Sequence, residues 1–161
     1  MYSGSDSLAR ERHKDSVRAA AKAESGIARA LENASIFNLC SKREVKLVAK
    51  LAKVRSVPAG TTLMTQGEAG DTMIVFLSGG AEVKQNGKKL ADLGSGEVAG
   101  EMAVLGKAPR NATVTTRSDS EIAVIGRREL YRLIEDAPGF SRKLLEALAN
   151  RVREMDRRAV C

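Results

Sequence analysis

A carboxylate, Glu101, and a guanidinium, Arg110, lie close together on a glycine-rich stretch of this 161-residue chain. The stretch runs Gly94-Ser95-Gly96-Glu97-Val98-Ala99-Gly100-Glu101-Met102-Ala103-Val104-Leu105 and continues Gly106-Lys107-Ala108-Pro109-Arg110-Asn111-Ala112-Thr113-Val114. Arg110 can give two parallel N–H bonds to two oxygens of one phosphate. Glu101 would repel that phosphate, but a carboxylate is a strong acceptor for hydroxyls such as those of a ribose. Acid and base together therefore suit a sugar phosphate better than bare phosphate. Gly100 lacks a Cβ, so a ligand can approach its backbone closely. A helical turn beginning there exposes unpaired N–H groups and the positive end of a helix dipole. Two N–H bonds to the anion at about 1.5–3 kcal/mol each would make Arg110 a measurable determinant of binding. Outside such a loop, the same two residues would read as an ordinary surface ion pair.

Other chemistries find no support. His13 is the only histidine and falls in the charged N-terminal segment, so a metal cage of His and carboxylates inside a barrel has no ligands. No Ser or Cys has a histidine beside it in the central zone to act as base. There is no G-x-x-x-x-G-K-[ST] run, and the glycines do not follow the dinucleotide pattern. The expectation is a binding domain without metal or catalytic residues, not an enzyme.

The elements that must hold Glu101 and Arg110 fall into zones. Residues 1–35 form a basic segment, rich in Ala and alternating in charge from about Ser7 to Asn33, which favours helix but offers little apolar surface. Residues 36–57 read as an N-terminal helical bundle, with Ser41 and Glu44 in capping-box spacing and Val45, Val48 and Leu51 or Ala52 on one face. Residues 58–126 read as a β-roll. Ten of the 14 glycines lie between Gly60 and Gly106, which implies closely spaced turns. Between them lie strand-like runs at Thr61–Thr65, Met73–Leu77, Ala81–Lys84, Lys88–Leu93, Ala112–Thr116 and Glu121–Ile125, with Asn86-Gly87 as a two-residue hairpin turn. Residues 98–114 carry the phosphate-binding cassette, with one turn of helix over Met102–Leu105. Residues 127–161 read as hinge and lid helices: Leu130, Leu133 and Ile134 make a short stripe and Pro138-Gly139 breaks it. A longer stripe then follows over Phe140, Leu144, Leu145, Leu148, Val152 and Met155. The fold class is α+β, an antiparallel jelly-roll barrel with a short internal helix, flanked by N- and C-terminal helices.

Hydrophobic residues make up 43 % of the chain but aromatics only 3 %, so the core must rest on aliphatic side chains. No apolar run approaches the ~20 residues that span a bilayer, and Met1 to Ala20 has no signal-peptide character. Cys40 and Cys161 suggest no disulfide framework, and the chain is expected to be cytoplasmic. The net charge of +7 is uneven: Lys and Arg outnumber Asp and Glu by 12 to 6 over residues 1–57 and 9 to 6 over 127–161. Residues 58–126 are slightly acidic, at 6 to 8. Basic flanks suit a polyanion or an acidic partner, but solvated helix surfaces account for them as well.

The run Gly100-Glu101-Met102-Ala103-Val104-Leu105, then Pro109-Arg110-Asn111-Ala112-Thr113-Val114, resembles the phosphate-binding cassette of the cyclic nucleotide-binding domain family. Pro58-Ala59-Gly60, Gln66-Gly67-Glu68-Ala69-Gly70-Asp71 and Leu77-Ser78-Gly79-Gly80-Ala81-Glu82-Val83 resemble its turns and central strand, so the likeness covers roughly residues 36–150. The resemblance implies that Glu101 accepts the ribose 2′-hydroxyl and Arg110 pairs with the exocyclic phosphate oxygens. It further implies that Gly100, Met102 and Ala103 offer backbone contacts, with Asn111 adjoining the phosphate arginine. Val83, Leu90, Val98, Ala99 and Ala112 would line the base and sugar pocket. Ala99 stands where the family usually has a large apolar residue and Asn111 where it has Ala, Ser or Thr, leaving cyclic AMP favoured and cyclic GMP the alternative. The implied function is an allosteric sensor in which ligand repositions the C-terminal helices to regulate a protein partner, a fused domain or a second copy. The competing expectation is a ligand-independent interaction module using the basic helical flanks. The chain offers no membrane span, and too few residues follow the last helix for a helix-turn-helix.

Overall fold

The computed structural model describes residues 3–32 and 34–160, with side chains over 7–18, 27–32 and 34–157; Cys161 lies outside the described residues. The chain begins with a long helix, α1 (Ser3–Glu32), and a short 3-10 turn at Ser35–Phe37, then α2 (Lys42–Leu51). Eight strands follow: β1 (Lys53–Val57), β2 (Thr62–Met64), β3 (Thr72–Ser78), β4 (Ala81–Gln85), β5 (Lys88–Leu93), β6 (Val98–Ala99), β7 (Thr113–Thr116) and β8 (Ser120–Gly126). A short helix, α3 (Glu101–Gly106), interrupts them between β6 and β7, and α4 (Arg127–Asp136) and α5 (Pro138–Val160) complete the chain. The strands form two antiparallel sheets, in the orders β1-β8-β3-β6 and β2-β7-β4-β5.

All six strand-like runs of the sequence become strands, and two more appear. β1 occupies Lys53–Val57, within the 36–57 zone expected to be helical. β6 is only two residues long and pairs Val98 and Ala99 with Val75 and Ile74. At the β4–β5 hairpin, Asn86 and Gly87 both take positive φ, 53° and 77°, which a type I′ turn requires. Gln85 and Lys88 pair directly across it.

β3 explains how the two halves of the core meet. Met73 and Val75 face one side, and Ile74 and Phe76 the other, all four buried. The Ile74 side fills the interior of the roll with Met64, Ala81, Val83, Val114 and Ile122. The Met73 side, with Ala123 and Ile125 of β8, is covered by helical residues including Phe37, Val48, Leu130, Leu133 and Phe140. Each such side chain contributes about 1.5–3 kcal/mol on burial, so helices and roll share one apolar layer.

Two local devices aim the helices. Ser41 caps α2 with both bonds of the capping box, its Oγ accepting from the Glu44 N–H at 3.2 Å and its N–H donating to Glu44 Oε2 at 2.6 Å. Glu44 Oε1 accepts from the Gly139 N–H at 3.1 Å, which pins the first turn of α5 to α2. Phe37 stacks on Phe140 with ring centroids 5.7 Å apart. The α5 stripe departs from expectation. Phe140 and Leu144 are buried, but Leu145 is 67 % exposed, Val152 54 % and Met155 42 %. A straight helix drifts away from a roll after its first turns, so only the N-terminal half of α5 is anchored in the core.

Candidate functional site

The glycine-rich segment forms β6, a sharp turn and α3. Gly100 sits at the N-cap of α3 with φ +87°, a left-handed conformation that favours glycine. A Cβ there would lie 2.5 Å from Arg110 Nη1, 2.6 Å from Met64 Cε and 2.8 Å from the Thr72 carbonyl oxygen. Glycine is therefore required twice, for backbone and for space.

Arg110 is 8 % exposed and lies folded across this turn. Its Nη1 donates to the Thr72 carbonyl at 2.9 Å and the Gly100 carbonyl at 3.3 Å, and its Nη2 donates to Thr72 Oγ1 at 3.2 Å. Its backbone is clamped in a two-bond exchange with the preceding turn, Arg110 N–H to Glu68 O and Gly67 N–H to Arg110 O, both 2.8 Å. Burial pulls the guanidinium pKa down, against the charges of Asp71 and Glu101, yet an arginine remains protonated. All three acceptors are neutral, so the cation is held in place by dipoles with no bonded counter-anion among the described residues. Gly70 makes room for it: a Cβ at that position would lie 2.0 Å from Arg110 Nε.

Glu101 opens α3 and is fully buried. Its Oε1 lies 2.9 Å from Arg151 Nε of α5, but the N–H is not aimed along that line. Neither carboxylate oxygen accepts a hydrogen bond among the described residues. Desolvation raises its pKa, opposed by the charge of Arg151, then by the dipole of its own backbone N–H and by the charge of Arg110. A buried carboxylate with unfilled lone pairs costs on the order of 1–3 kcal/mol or more, and such groups call for an explanation. Arg151 Nη2 also donates to the Val98 carbonyl at 2.7 Å.

Beside the cassette lies a cavity of about 790 Å³, within the roughly 300–1,000 Å³ typical of small-molecule sites. From the roll, Val83, Leu90, Val98, Asn111 and Ala112 line it; from α5, Ala147, Asn150, Arg151 and Glu154 do. Gly100, Glu101, Met102, Ala103, Arg110 and Ala99 lie behind this wall and do not line the cavity. Ala103 and Ala99 are buried, Met102 is half-buried, and Asn111 is exposed, its Nδ2 3.7 Å from Met102 Sδ. Of the residues expected at the site, then, five line the cavity, and the other six lie on β6, the Gly100 turn, α3 and the loop that follows it.

Several participants carry little or no signal in sequence. Thr72 holds Arg110 through its backbone and hydroxyl. Arg127, at the start of α4, donates from Nε to the Val104 carbonyl at 3.1 Å and from Nη2 to the Gly70 carbonyl at 3.2 Å. It thus joins α4 both to the cassette helix and to the turn that cradles Arg110. Arg151 is the third, and only the fold brings it to Glu101. A glycine-flanked Asp-Thr after Gly70 is a faint hint for Thr72; the two arginines read simply as solvated helix charges.

An eight-stranded roll of two antiparallel sheets, with a helix inserted before a buried arginine, a cavity beside it and helices over one face, defines a ligand-binding domain of the β-roll type. Comparison with known proteins agrees. The family model described as the cyclic nucleotide-binding domain matches residues 54–137, and the chain belongs to that family. A cAMP-dependent protein kinase regulatory subunit of Yarrowia lipolytica is 40 % identical over 80 residues, 48 % of this chain and 21 % of that protein. A cGMP-dependent protein kinase of Toxoplasma gondii is 29 % identical over 104 residues, 65 % of this chain and 10 % of that protein. The crystal structure of the Thermus thermophilus catabolite activator protein superposes with a TM-score of 0.71 at 29 % identity, covering 77 % of this chain and 61 % of that one. The chain thus spans only a small part of the two kinase-system relatives. Among the described residues, no helix is long and apolar enough to cross a membrane and no cluster of potential ligands could hold a metal.

Proposed function

We propose that this domain binds a cyclic nucleotide, cyclic AMP in preference to cyclic GMP, and signals by moving its C-terminal helices. The base and sugar occupy the cavity between Val83, Leu90, Val98 and Ala112 and the face of α5. The phosphate meets Arg110, whose guanidinium is already held at the Gly100 turn, and a ribose hydroxyl donates to Glu101. The observation that carries this reading is the fully buried Glu101 carboxylate whose lone pairs accept no hydrogen bond. A hydroxyl donor supplies what that oxygen lacks, and a cyclic ribose phosphate is a ligand class that offers both a hydroxyl and an anion. The relatives named for cAMP and cGMP dependence support the same class.

The readout passes through α4 and α5. Arg127 couples the cassette and the Gly70 turn to α4, and Arg151 couples Glu101 to α5. A ligand shifts these helices only by its differential affinity for their two arrangements. The exposed Leu145, Val152 and Met155 offer a surface whose presentation to a partner changes with that shift. The protein acts in the cytoplasm as a regulator of a partner, fused domain or second copy.

Calorimetric titration with cyclic AMP and cyclic GMP tests the proposal. Binding is expected, and Arg110→Ala should weaken it by about 100-fold or more, the loss of two charge-assisted bonds. Flat titrations with both nucleotides, or unchanged affinity in the variant, overturn it. One observation favours the ligand-independent alternative: Glu101 already has a cation beside it in Arg151. Flat titrations together with salt-sensitive capture of a polyanion would select that alternative.

A further inference from the structure

α2 and β1 are joined only by Ala52, and the surface they expose has one sign of charge. The exposed residues of α2 are Lys42, Arg43, Lys46 and Lys50, and Lys53 and Arg55 are exposed on β1. Helical spacing puts the first four on one arc, turned away from the buried Val45, Val48 and Ala49. Strand spacing puts Lys53 and Arg55 on one face. None of the six pairs with a carboxylate among the described residues. Glu44, the one acidic residue between Lys42 and Val57, has its two oxygens engaged by the Ser41 and Gly139 N–H groups. On the roll, by contrast, Lys84, Lys89 and Arg117 each meet a carboxylate.

The strand that carries two of these cations also has an open edge. β1 ends its sheet and pairs only with β8. Beyond that ladder, no backbone group of Lys53–Val57 makes a hydrogen bond among the described residues. Such a row of free N–H and C=O groups is a template for another strand, and cations along it repel a like-charged copy of the same edge. A strand of opposite charge is attracted instead. From this charge complementarity we infer that the α2–β1 face is a docking surface for an acidic segment of a partner protein, which adds to the sheet as a strand beside β1. The segment's main chain bonds the open edge, and its carboxylates meet Lys53 and Arg55. Continuing past the start of β1, it reaches Lys50 at the adjoining end of α2. A lipid surface fits this face less well: Leu47 and Leu51 are packed against the core, so α2 has no apolar side chain to insert, and lipid leaves the edge's backbone groups unpaired. A nucleic-acid strand would find charge, but residues 42–57 hold no aromatic ring for a base to stack on. None of the six cations lines the cavity, so the surface is independent of what the cavity holds.

A fluorescein-labelled peptide of Glu-Thr repeats, eight residues long, tests the surface, with a Gln-Thr peptide of the same length as neutral control. Fluorescence anisotropy should show the acidic peptide binding at low salt and weakening about tenfold or more at about 0.5 M salt. The neutral peptide should bind at least about fivefold more weakly. Lys53→Gln combined with Arg55→Gln, checked for folding by thermal melting, should lose about fivefold in affinity, as two cross-strand charge pairs are removed. Lys46→Gln combined with Lys50→Gln, confined to the exposed face of α2, should also weaken binding and serves if the first variant melts early. Hydrogen exchange should show amides over 53–57 gaining protection when the acidic peptide is bound, which charge attraction alone does not give. No binding of the acidic peptide at low salt, or full affinity in both variants, overturns the inference. Binding without protection of those amides overturns strand addition. Tighter binding of an oligothymidylate or of phosphatidylserine vesicles overturns the choice of partner and assigns the face to that polyanion. Nucleotide titrations decide the cavity separately, so failure here leaves the cyclic nucleotide reading untouched.

Discussion

Gly70 is the position at which fold and ligand binding separate most cleanly. Its backbone lies outside the left-handed region, and an added Cβ would lie 2.0 Å from Arg110 Nε, 2.2 Å from Cζ and 2.7 Å from Cδ. All three of these nearest atoms belong to the end of one long side chain. In Gly70→Ala the guanidinium must therefore swing out, losing its bonds to Thr72 O, Gly100 O and Thr72 Oγ1. Re-solvation of the cation limits each loss to about 0.5–1.5 kcal/mol. The stiffer unfolded chain returns roughly 0.4–1 kcal/mol. The net cost is on the order of 1–3 kcal/mol, a fall of several degrees in melting temperature for a domain of this size. Binding suffers far more, because a displaced Arg110 forfeits both bonds to the phosphate, about 3–6 kcal/mol and so more than ~100-fold in affinity. Gly94→Ala is the control: a Cβ there meets nothing within 4 Å, and the backbone accepts it. Thermal melts and nucleotide titrations of both variants decide the matter. Full affinity in Gly70→Ala would mean that Arg110 is not held where its ligand contact is made.

Glu101→Gln probes the charge of the buried carboxylate. Burial raises its pKa in the folded state, so the fold binds more protons than the unfolded chain, and this contribution to stability is full below the ordinary carboxyl range and lost as pH rises through the folded value. The wild type should therefore be relatively more stable than the variant in acid and fall level with or below it near neutrality; a variant that melts lower at neutral pH, with the gap closing on acidification, contradicts desolvation as the dominant cause. Cys40 has its thiol pushed up to about 11 by burial and by Glu44. Its thiolate is scarce at neutral pH, and peptide mapping after iodoacetamide should find Cys40 modified far more slowly than free cysteine; equal rates refute the burial.

What could be read in the sequence divides along a physical line. Signals that act within a few residues came through: the Asn86-Gly87 turn, the Ser41–Glu44 capping box with both bonds made, the Pro138 break between α4 and α5. The cassette was legible because Gly100, Glu101 and Arg110 belong to one continuous stretch whose turns bring them together. β1 was not, since Lys53–Val57 is a barely buried edge strand held by its ladder to β8, and a helix-like run leads into it. β6 is too short for any period to register. Arg151 was invisible for a different reason. A lone arginine on a charged helix has the composition of a solvated face, and only the packing of α5 over the roll turns it toward Glu101.

That hidden residue also orders the causes of the site. Gly70 and Gly100 give Arg110 a place with neutral acceptors, so the cation is poised with no bonded anion among the described residues. Glu101 is fully buried, which raises the cost of its charge, and the arginine that offsets most of this cost comes from α5. A carboxylate buried this deeply requires a partner, and this fold provides one in Arg151. The pairing ties α5 to the cassette helix. A hydrophobic residue at position 101 would pack the wall more stably, but it would cut the link between cavity and helix.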